Sequence, residues 1–334
     1  MTRKHDMLAA LTRRRPQRVP LWELEFHAYD AVSGRHMILG HEFETLTTPA
    51  QERAMHANAE IIVAVARELH FAAITCPNFY WYQAPGQLAY WILPGETRFR
   101  QAAILKQHVG DEFALVGITG GVIAAQYTDE FCLQLVEDPA AIDQRAARSL
   151  ASSLDSAQRF RDAGVDVACS PSDIADNSGP FFNPAQMDRW IYPNLTRWST
   201  AMRTLGLLSI LHTDGNITRY LERLAETGID AIQALDPVAG MNMPEAFRLT
   251  ADRVCLCGNV DCGSLLMGTP DAVFSATTAL LRAADGHPFS LGASNAVQRE
   301  VRLENYRAMI AAWEQFTTAA PPSAAPQTPP SSAK

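Results

Sequence analysis

Short runs of β-type residues recur eight times along this chain, and a stretch of helical character separates each from the next. The runs are 18–26, 71–76, 115–120, 165–170, 207–213, 229–235, 254–260 and 288–294. Helix-like segments between them include 50–69, 139–163, 184–205, 217–227 and 270–284; Thr269-Pro270-Asp271 at the start of the last is a helix-start signal. Strands separated by helices have room for crossover connections and pair in parallel. Eight such units predict an α/β fold of the (β/α)8 TIM-barrel class. A doubly wound open sheet is the competing arrangement, but no G-x-G-x-x-G follows any run, so dinucleotide binding has no support.

A chain of 334 residues with 47% hydrophobic content can fill the core of one such barrel, expected over 1–316. The segment at about 77–114 is longer than an ordinary βα loop and carries Phe79, Tyr80, Trp81, Tyr82, Tyr90 and Trp91. It reads as an insertion at the barrel mouth that shapes substrate access, or as a small hairpin over the rim. Residues 317–334, rich in Ala, Pro and Ser, are expected to be a disordered tail. A net charge of −8 with no basic run argues against a nucleic-acid or anionic-membrane surface. No apolar run approaches the ~20 residues of a membrane span, and Met-Thr-Arg-Lys-His-Asp does not open a secretory signal. The cysteines, Cys76, Cys132, Cys169, Cys255, Cys257 and Cys262, form no C-x-x-C pair, which fits a reducing cytoplasm.

In a barrel the chemistry lies at the C-terminal ends of the strands. Most of the eight runs end in polar groups. Glu23, Glu25 and His27 close the first and Asn78 the second. Thr119 and Gln126 follow the third, with Tyr127 beside them, and Ser170, Asp173 and Asp176 follow the fourth. His212 and Asp214 end the fifth, Asp236 the sixth, Asn259 and Asp261 the seventh, Ser294 and Asn295 the eighth. His212 and Asp214 are two apart on a strand and share a face before the break at Gly215. That pair could hold a metal or move a proton, or Asp214 could simply cap the next helix. Carboxylates gathered at one rim repel, so some must be protonated, paired or metal-bound. Asp173, His212, Asp214 and Glu25 are the candidate catalytic groups. His27, Asn78, Tyr127, Asp176, Asp236, Asn259 and Asn295 are candidate substrate contacts. Asp173 and Asp176 could equally stabilise turns, and Asp236 could open one before Pro237. Glu23 and Glu25 are expected on one strand face. Cys255 and Cys257 read as small core residues more readily than as metal ligands, and Cys262 is a thiol at the mouth.

With these residues assembled, the chain resembles the uroporphyrinogen decarboxylase superfamily, including the cobalamin-dependent methyltransferases that share its barrel. The segments carrying the resemblance are Ser172–Pro180, Leu211–Ile217, Gly228–Met241, Gly258–Asp261 and Leu303–Met309. True uroporphyrinogen decarboxylases grip their substrate's carboxylates with an N-terminal Arg-rich motif. The corresponding region here is Trp22-Glu23-Leu24-Glu25-Phe26-His27, and the histidine that family carries before its last helix falls at Asn295. Relatives that methylate a thiol bind zinc through His-x-Cys and a distant Cys. The histidine matches His212, but Asp214 stands at the first cysteine and Asn295 at or beside the second. The resemblance therefore implies zinc on His212 and Asp214, completed by Glu25, Glu23 or Asp173, in an enzyme moving a methyl group between a small molecule and a corrinoid. Asp-x-His-x-x-Gly is absent, so cobalamin would arrive on a partner protein or free. A homodimer is also expected, whereas nucleic-acid and membrane partners are not. A metal-free decarboxylase or lyase, with Arg35, Arg98 or Arg299 binding a carboxylate, is the alternative, followed by a non-catalytic barrel.

Overall fold

The computed structural model describes residues 2–77 and 96–319. Seven parallel strands form one sheet: β1 (Ala73–Thr75), β2 (Ala114–Ile118), β3 (Val167–Pro171), β4 (Leu208–Thr213), β5 (Ala231–Ala234), β6 (Cys255–Val260) and β7 (Phe289–Ala293). Strand order follows chain order, as it must when each connection is a helix-bearing crossover to the neighbouring position. Seven of the eight runs seen in the sequence are thus strands of this sheet.

The first run is not a continuous strand. Within 18–26 the backbone makes only isolated parallel bridges, Leu21 to Leu291 and Phe26 to Val297. Pro20 has no N–H to donate, so it can only accept, taking a bond from the Leu291 N–H at 2.8 Å. The Trp22 N–H donates to Leu291 O at 2.9 Å, and the Ala72 N–H donates to Leu21 O at 2.7 Å. The segment therefore touches both edges of the sheet, β7 on one side and the entry to β1 on the other.

Side chains alternate across the sheet. Val167 and Cys169, Ile210, Ala231, and Cys255 and Cys257 point inward together with Trp22 and Leu24. Met7, Ala10 and Leu11 of helix α1 (Arg3–Leu11) pack against the early residues of these strands and close the N-terminal side. Ala168, Leu211, Ile232, Leu256 and Leu291 face the other way, into the main core under the helices. Those helices include α2 (Thr48–Glu68), α3 (Thr97–Val109), α4 (Pro139–Asp162), α5 (Tyr192–Thr204), α6 (Leu221–Ala225), α7 (Met243–Thr250), α8 (Pro270–Ala283) and α9 (Leu303–Ala319). The Asp138, Asn242 and Thr269 side chains cap α4, α7 and α8, each accepting a backbone N–H of the first turn. Such a cap stabilises a helix by roughly 1 kcal/mol. Helix α3 occupies 13 residues of the 77–114 stretch, and α9 continues to Ala319. The aromatic cluster Phe79–Trp91 lies outside the described residues, as does Asn78. No described helix is long and apolar enough to cross a membrane.

Candidate active site

β4 and β5 pair in parallel with His212 opposite Gln233 in the register. Both side chains are buried, His212 with 7% exposure. The His212 Nδ1 meets the Gln233 side-chain oxygen. An amide oxygen only accepts, so Nδ1 donates and Nε2 is left with its lone pair. Nε2 lies 3.8 Å from Asp173 Oδ1 and 3.8 Å from Asp214 Oδ1, too far for a hydrogen bond to either.

Two loops fix the carboxylates. The Asp214 N–H donates to Asp173 Oδ1 at 3.0 Å, and the Ile174 N–H donates to the Thr213 hydroxyl at 3.0 Å, stitching the β3 loop to the end of β4. The Ala125 N–H holds Asp173 O from the β2 side at 2.7 Å. Gly215 follows Asp214 with φ of +85°, and a Cβ there would lie 2.6 Å from backbone atoms of Ala175 and Asp176. Only glycine permits this close approach. The Asn295 amide donates to Asp214 Oδ2 at 2.8 Å, whereas Asp214 Oδ1 is buried and has no hydrogen-bond partner. Burial raises the pKa of Asp214, and the Asp173 and Asp236 carboxylates push in the same direction against the opposing effects of His212 and Asn295.

Asp173, His212 and Asp214 each present one donor atom within 4.8 Å of the others. Zinc bonds nitrogen and oxygen at ~2.0–2.2 Å, which spaces tetrahedral ligands about 3.4 Å apart. The two 3.8 Å separations from His212 would close by a few tenths of an ångström, and the two carboxylates, with all three atoms inside 4.8 Å, would turn toward one another. An unpartnered buried oxygen facing an unprotonated nitrogen is what a cation would satisfy. One imidazole and two carboxylates suit zinc or a harder divalent ion better than a thiophilic one.

The other candidates take distinct places. Glu25 is not in this trio; it is half-exposed and pairs with His27 Nε2 at 3.5 Å. The Tyr127 hydroxyl donates to Asp176 Oδ2 at 3.3 Å, and its ring stands edge-on to Phe181. The other oxygen of Asp176 accepts the N–H groups of Ser178 and Gly179, closing a turn. Asp236 accepts the Val238 N–H at the start of a short 3₁₀ turn, near enough for its charge to act on Asp214. The Asn259 amide donates to Leu235 O at 2.6 Å. Asp261 caps the helix that follows it through Gly263 and Ser264. Cys255 and Cys257 are inner core, and burial pushes the Cys262 thiol up to about 11, so it is no ready nucleophile. Arg35 pairs with Glu60, Arg98 donates to Ser156 and Arg299 pairs with Asp30.

Glu23 and Glu25 do not share a face. Glu23 points outward to α9, where it accepts from the Tyr306 hydroxyl at 2.8 Å and from the Ala293 N–H at 2.9 Å. Without a continuous ladder through 18–26, the alternation expected of a strand fails there. Gln233 was not singled out in the sequence; its one signal is its inward parity with Ala231 on β5.

With this geometry in view, the protein can be compared with known ones. The model of the family described as uroporphyrinogen decarboxylase (URO-D) matches residues 96–316. No curated protein matches significantly. Among solved structures, a methyltransferase from Methanosarcina mazei superimposes with a TM-score of 0.75 at 16% identity, covering 95% of this chain and 99% of that one. A putative vitamin-B12-independent methionine synthase from Listeria monocytogenes gives a TM-score of 0.51 at 11% identity, covering 90% and 98%. An L-ribulose 3-epimerase gives 0.51 at 13% identity, covering 88% and 95%. At these identities the likenesses establish the fold alone.

Proposed function

The chain belongs to the uroporphyrinogen decarboxylase family, and on that premise we propose that it is a metal-dependent methyltransferase acting between a small methylated molecule and a corrinoid carried by a partner protein. The observation that carries this reading is the trio of Asp173, His212 and Asp214, with Asp214 Oδ1 buried and unpartnered. The methyltransferase fold shared with the Methanosarcina protein supports it. We also take residues 20–26, bonded to both sheet edges, as the eighth stave of a closed (β/α)8 barrel in a cytoplasmic enzyme.

His212 Nε2, Asp214 Oδ1 and an Asp173 oxygen would hold the metal, with zinc as the first candidate. Bound there, it supplies Lewis acidity toward a heteroatom of the methyl donor or acceptor. Asn295 aims the Asp214 carboxylate by holding its other oxygen. Tyr127, Asp176, Asp236 and Asn259 would contact a small substrate at the strand ends. Glu25, an exposed carboxylate paired with His27, would take up or return a proton. In the transfer, the donor heteroatom keeps the electron pair of the broken bond and the acceptor supplies the pair for the new one. The corrinoid partner would dock on the face where the strand ends converge.

A decarboxylase acting on a carboxylated substrate is less well supported. Arg35, Arg98 and Arg299 are engaged elsewhere, and residues 78–95 contain no Lys or Arg to serve as a counter-ion. The test is a spectrophotometric assay of corrinoid methylation state, run with the zinc-loaded protein and a panel of methoxy and methylamine compounds. The expected result is a spectral change with at least one compound that requires the metal and is lost in His212→Ala. A protein that takes up no metal when zinc is offered would overturn the mechanism and favour the acid–base lyase.

A further inference from the structure

We infer that Gln233 is the positioning residue of the site: it locks His212 in the tautomer that leaves Nε2 unprotonated and aimed at Asp173 and Asp214. The inference rests on the metal reading only for its consequence; the tautomer itself is a property of the chain alone.

The register makes the contact obligatory. His212 and Gln233 are paired residues on adjacent parallel strands, so both side chains leave the inner face of the sheet at one level. Gln233 is 2% exposed and His212 is nearly as buried, so no water competes for the Nδ1 position. The contact joins His212 Nδ1 to the Gln233 side-chain oxygen, and because that oxygen can only accept, the proton belongs on Nδ1. Were the amide turned the other way, its NH2 would donate to Nδ1, the ring proton would sit on Nε2, and a proton would point between the two carboxylates. That arrangement would give Nε2 a donor but no acceptor within hydrogen-bond reach, since both oxygens are 3.8 Å away. With Nδ1 as donor, Nε2 and Asp214 Oδ1 are both acceptors 3.8 Å apart, and the burial of Asp214 Oδ1 without a partner costs free energy unless a cation enters. Gln233 thus sets the site for a cation rather than for a hydrogen bond.

Glutamine is also a particular choice at this place. Metal-binding histidines commonly donate their second N–H to a carboxylate, a backbone carbonyl or water, and losing that partner typically weakens metal binding 10–100-fold. A neutral amide orients the ring as a carboxylate would, without adding another negative charge beneath Asp173 and Asp214.

The experiment combines two readouts on the full chain. Nitrogen-15 NMR of the histidine side chains in metal-free protein, with His212 assigned by its loss in His212→Ala, reports which ring nitrogen carries the proton. Cobalt(II) titration, followed by its visible absorption, reports affinity. In wild type, His212 is expected as the Nδ1–H tautomer. Gln233→Met, close in volume but offering only a weak thioether acceptor, is expected to populate Nε2–H and to bind cobalt(II) about 10–100-fold more weakly. Gln233→Glu, which restores an acceptor, is expected to recover Nδ1–H and bind within a few-fold of wild type. An Nε2–H tautomer in wild type, or a tautomer unchanged in Gln233→Met, overturns the inference. If wild type binds no cobalt(II) while the tautomer still follows residue 233, the metal reading fails and the positioning role stands.

Discussion

Two acidic side chains of this protein, Glu23 and Asp214, have oxygen withdrawn from water and meet opposite fates. Glu23, on the irregular segment against β7, has both oxygens engaged, one by the Tyr306 hydroxyl and one by the Ala293 N–H. Asp214, at the end of β4, has one oxygen held by Asn295 and the other without a partner. Burial raises the pKa of both, Glu23 to about 8. The Glu23 pocket leaves neither oxygen without a partner, and its two hydrogen bonds tie the first segment to α9. The Asp214 pocket is complete only with something added. In a folded chain, buried polar groups are expected to be satisfied, and a set of three left short of a partner at the functional end of the sheet marks the place where a ligand belongs.

Substitutions can break this contrast, and the largest expected effect lies at the incomplete pocket. His212→Ala should abolish metal binding, measured as metal per chain, and lower methyl transfer by ~10³-fold or more, the several kcal/mol that a Lewis acid contributes. It should lower the denaturation midpoint of metal-free protein less than Glu23→Ala does, because only the Gln233 side chain is stranded. At Glu23 the cost falls on stability: Glu23→Ala strands the Tyr306 hydroxyl and the Ala293 N–H and should cost about 2–4 kcal/mol in urea unfolding. Metal affinity should not change. Asn295→Ala frees the Asp214 carboxylate to rotate and should weaken zinc binding about 10-fold by competition against a chelating dye, with little effect on the midpoint. A further effect concerns pH. Folded Glu23 binds its proton up to about pH 8, against an ordinary value of 4.5. The folded state therefore holds more protons than the unfolded one across that window, so the stability Glu23 contributes is fully present below about 4.5 and is lost as pH rises through about 8. Glu23→Gln should flatten this decline, and an unchanged pH profile of unfolding would contradict the neutral-acid assignment.

How far the sequence discloses these features depends on whether they are local. The seven strands of the sheet are legible because short apolar runs between helices leave little choice, and their C-terminal ends lead directly to Asp173, His212 and Asp214. The first run misleads: it has the β-type residues of a strand, but Pro20 and isolated bridges in place of a ladder remove the alternation that would put Glu23 and Glu25 together. Helix α3 is masked in the sequence by the aromatic residues that precede it, which make 77–114 read as one long insertion. Gln233 is invisible for a different reason. A glutamine in the run Ala231–Ala234 has no motif, and its meaning comes from the register that sets it against His212 on the neighbouring strand. The choice of Asp173 over Glu25 as the third member likewise depends on the Asp214 N–H and the Thr213 hydroxyl, which draw two loops together across a long sequence separation.

The central claim is that Asp173, His212 and Asp214 bind a divalent cation, and anomalous diffraction at the zinc edge from zinc-loaded crystals tests it directly. The expected result is one strong peak about 2.0–2.2 Å from His212 Nε2, Asp214 Oδ1 and an Asp173 oxygen, absent from crystals of Asp214→Asn. Crystals that show no peak between these three side chains, or zinc held by other residues alone, would contradict it.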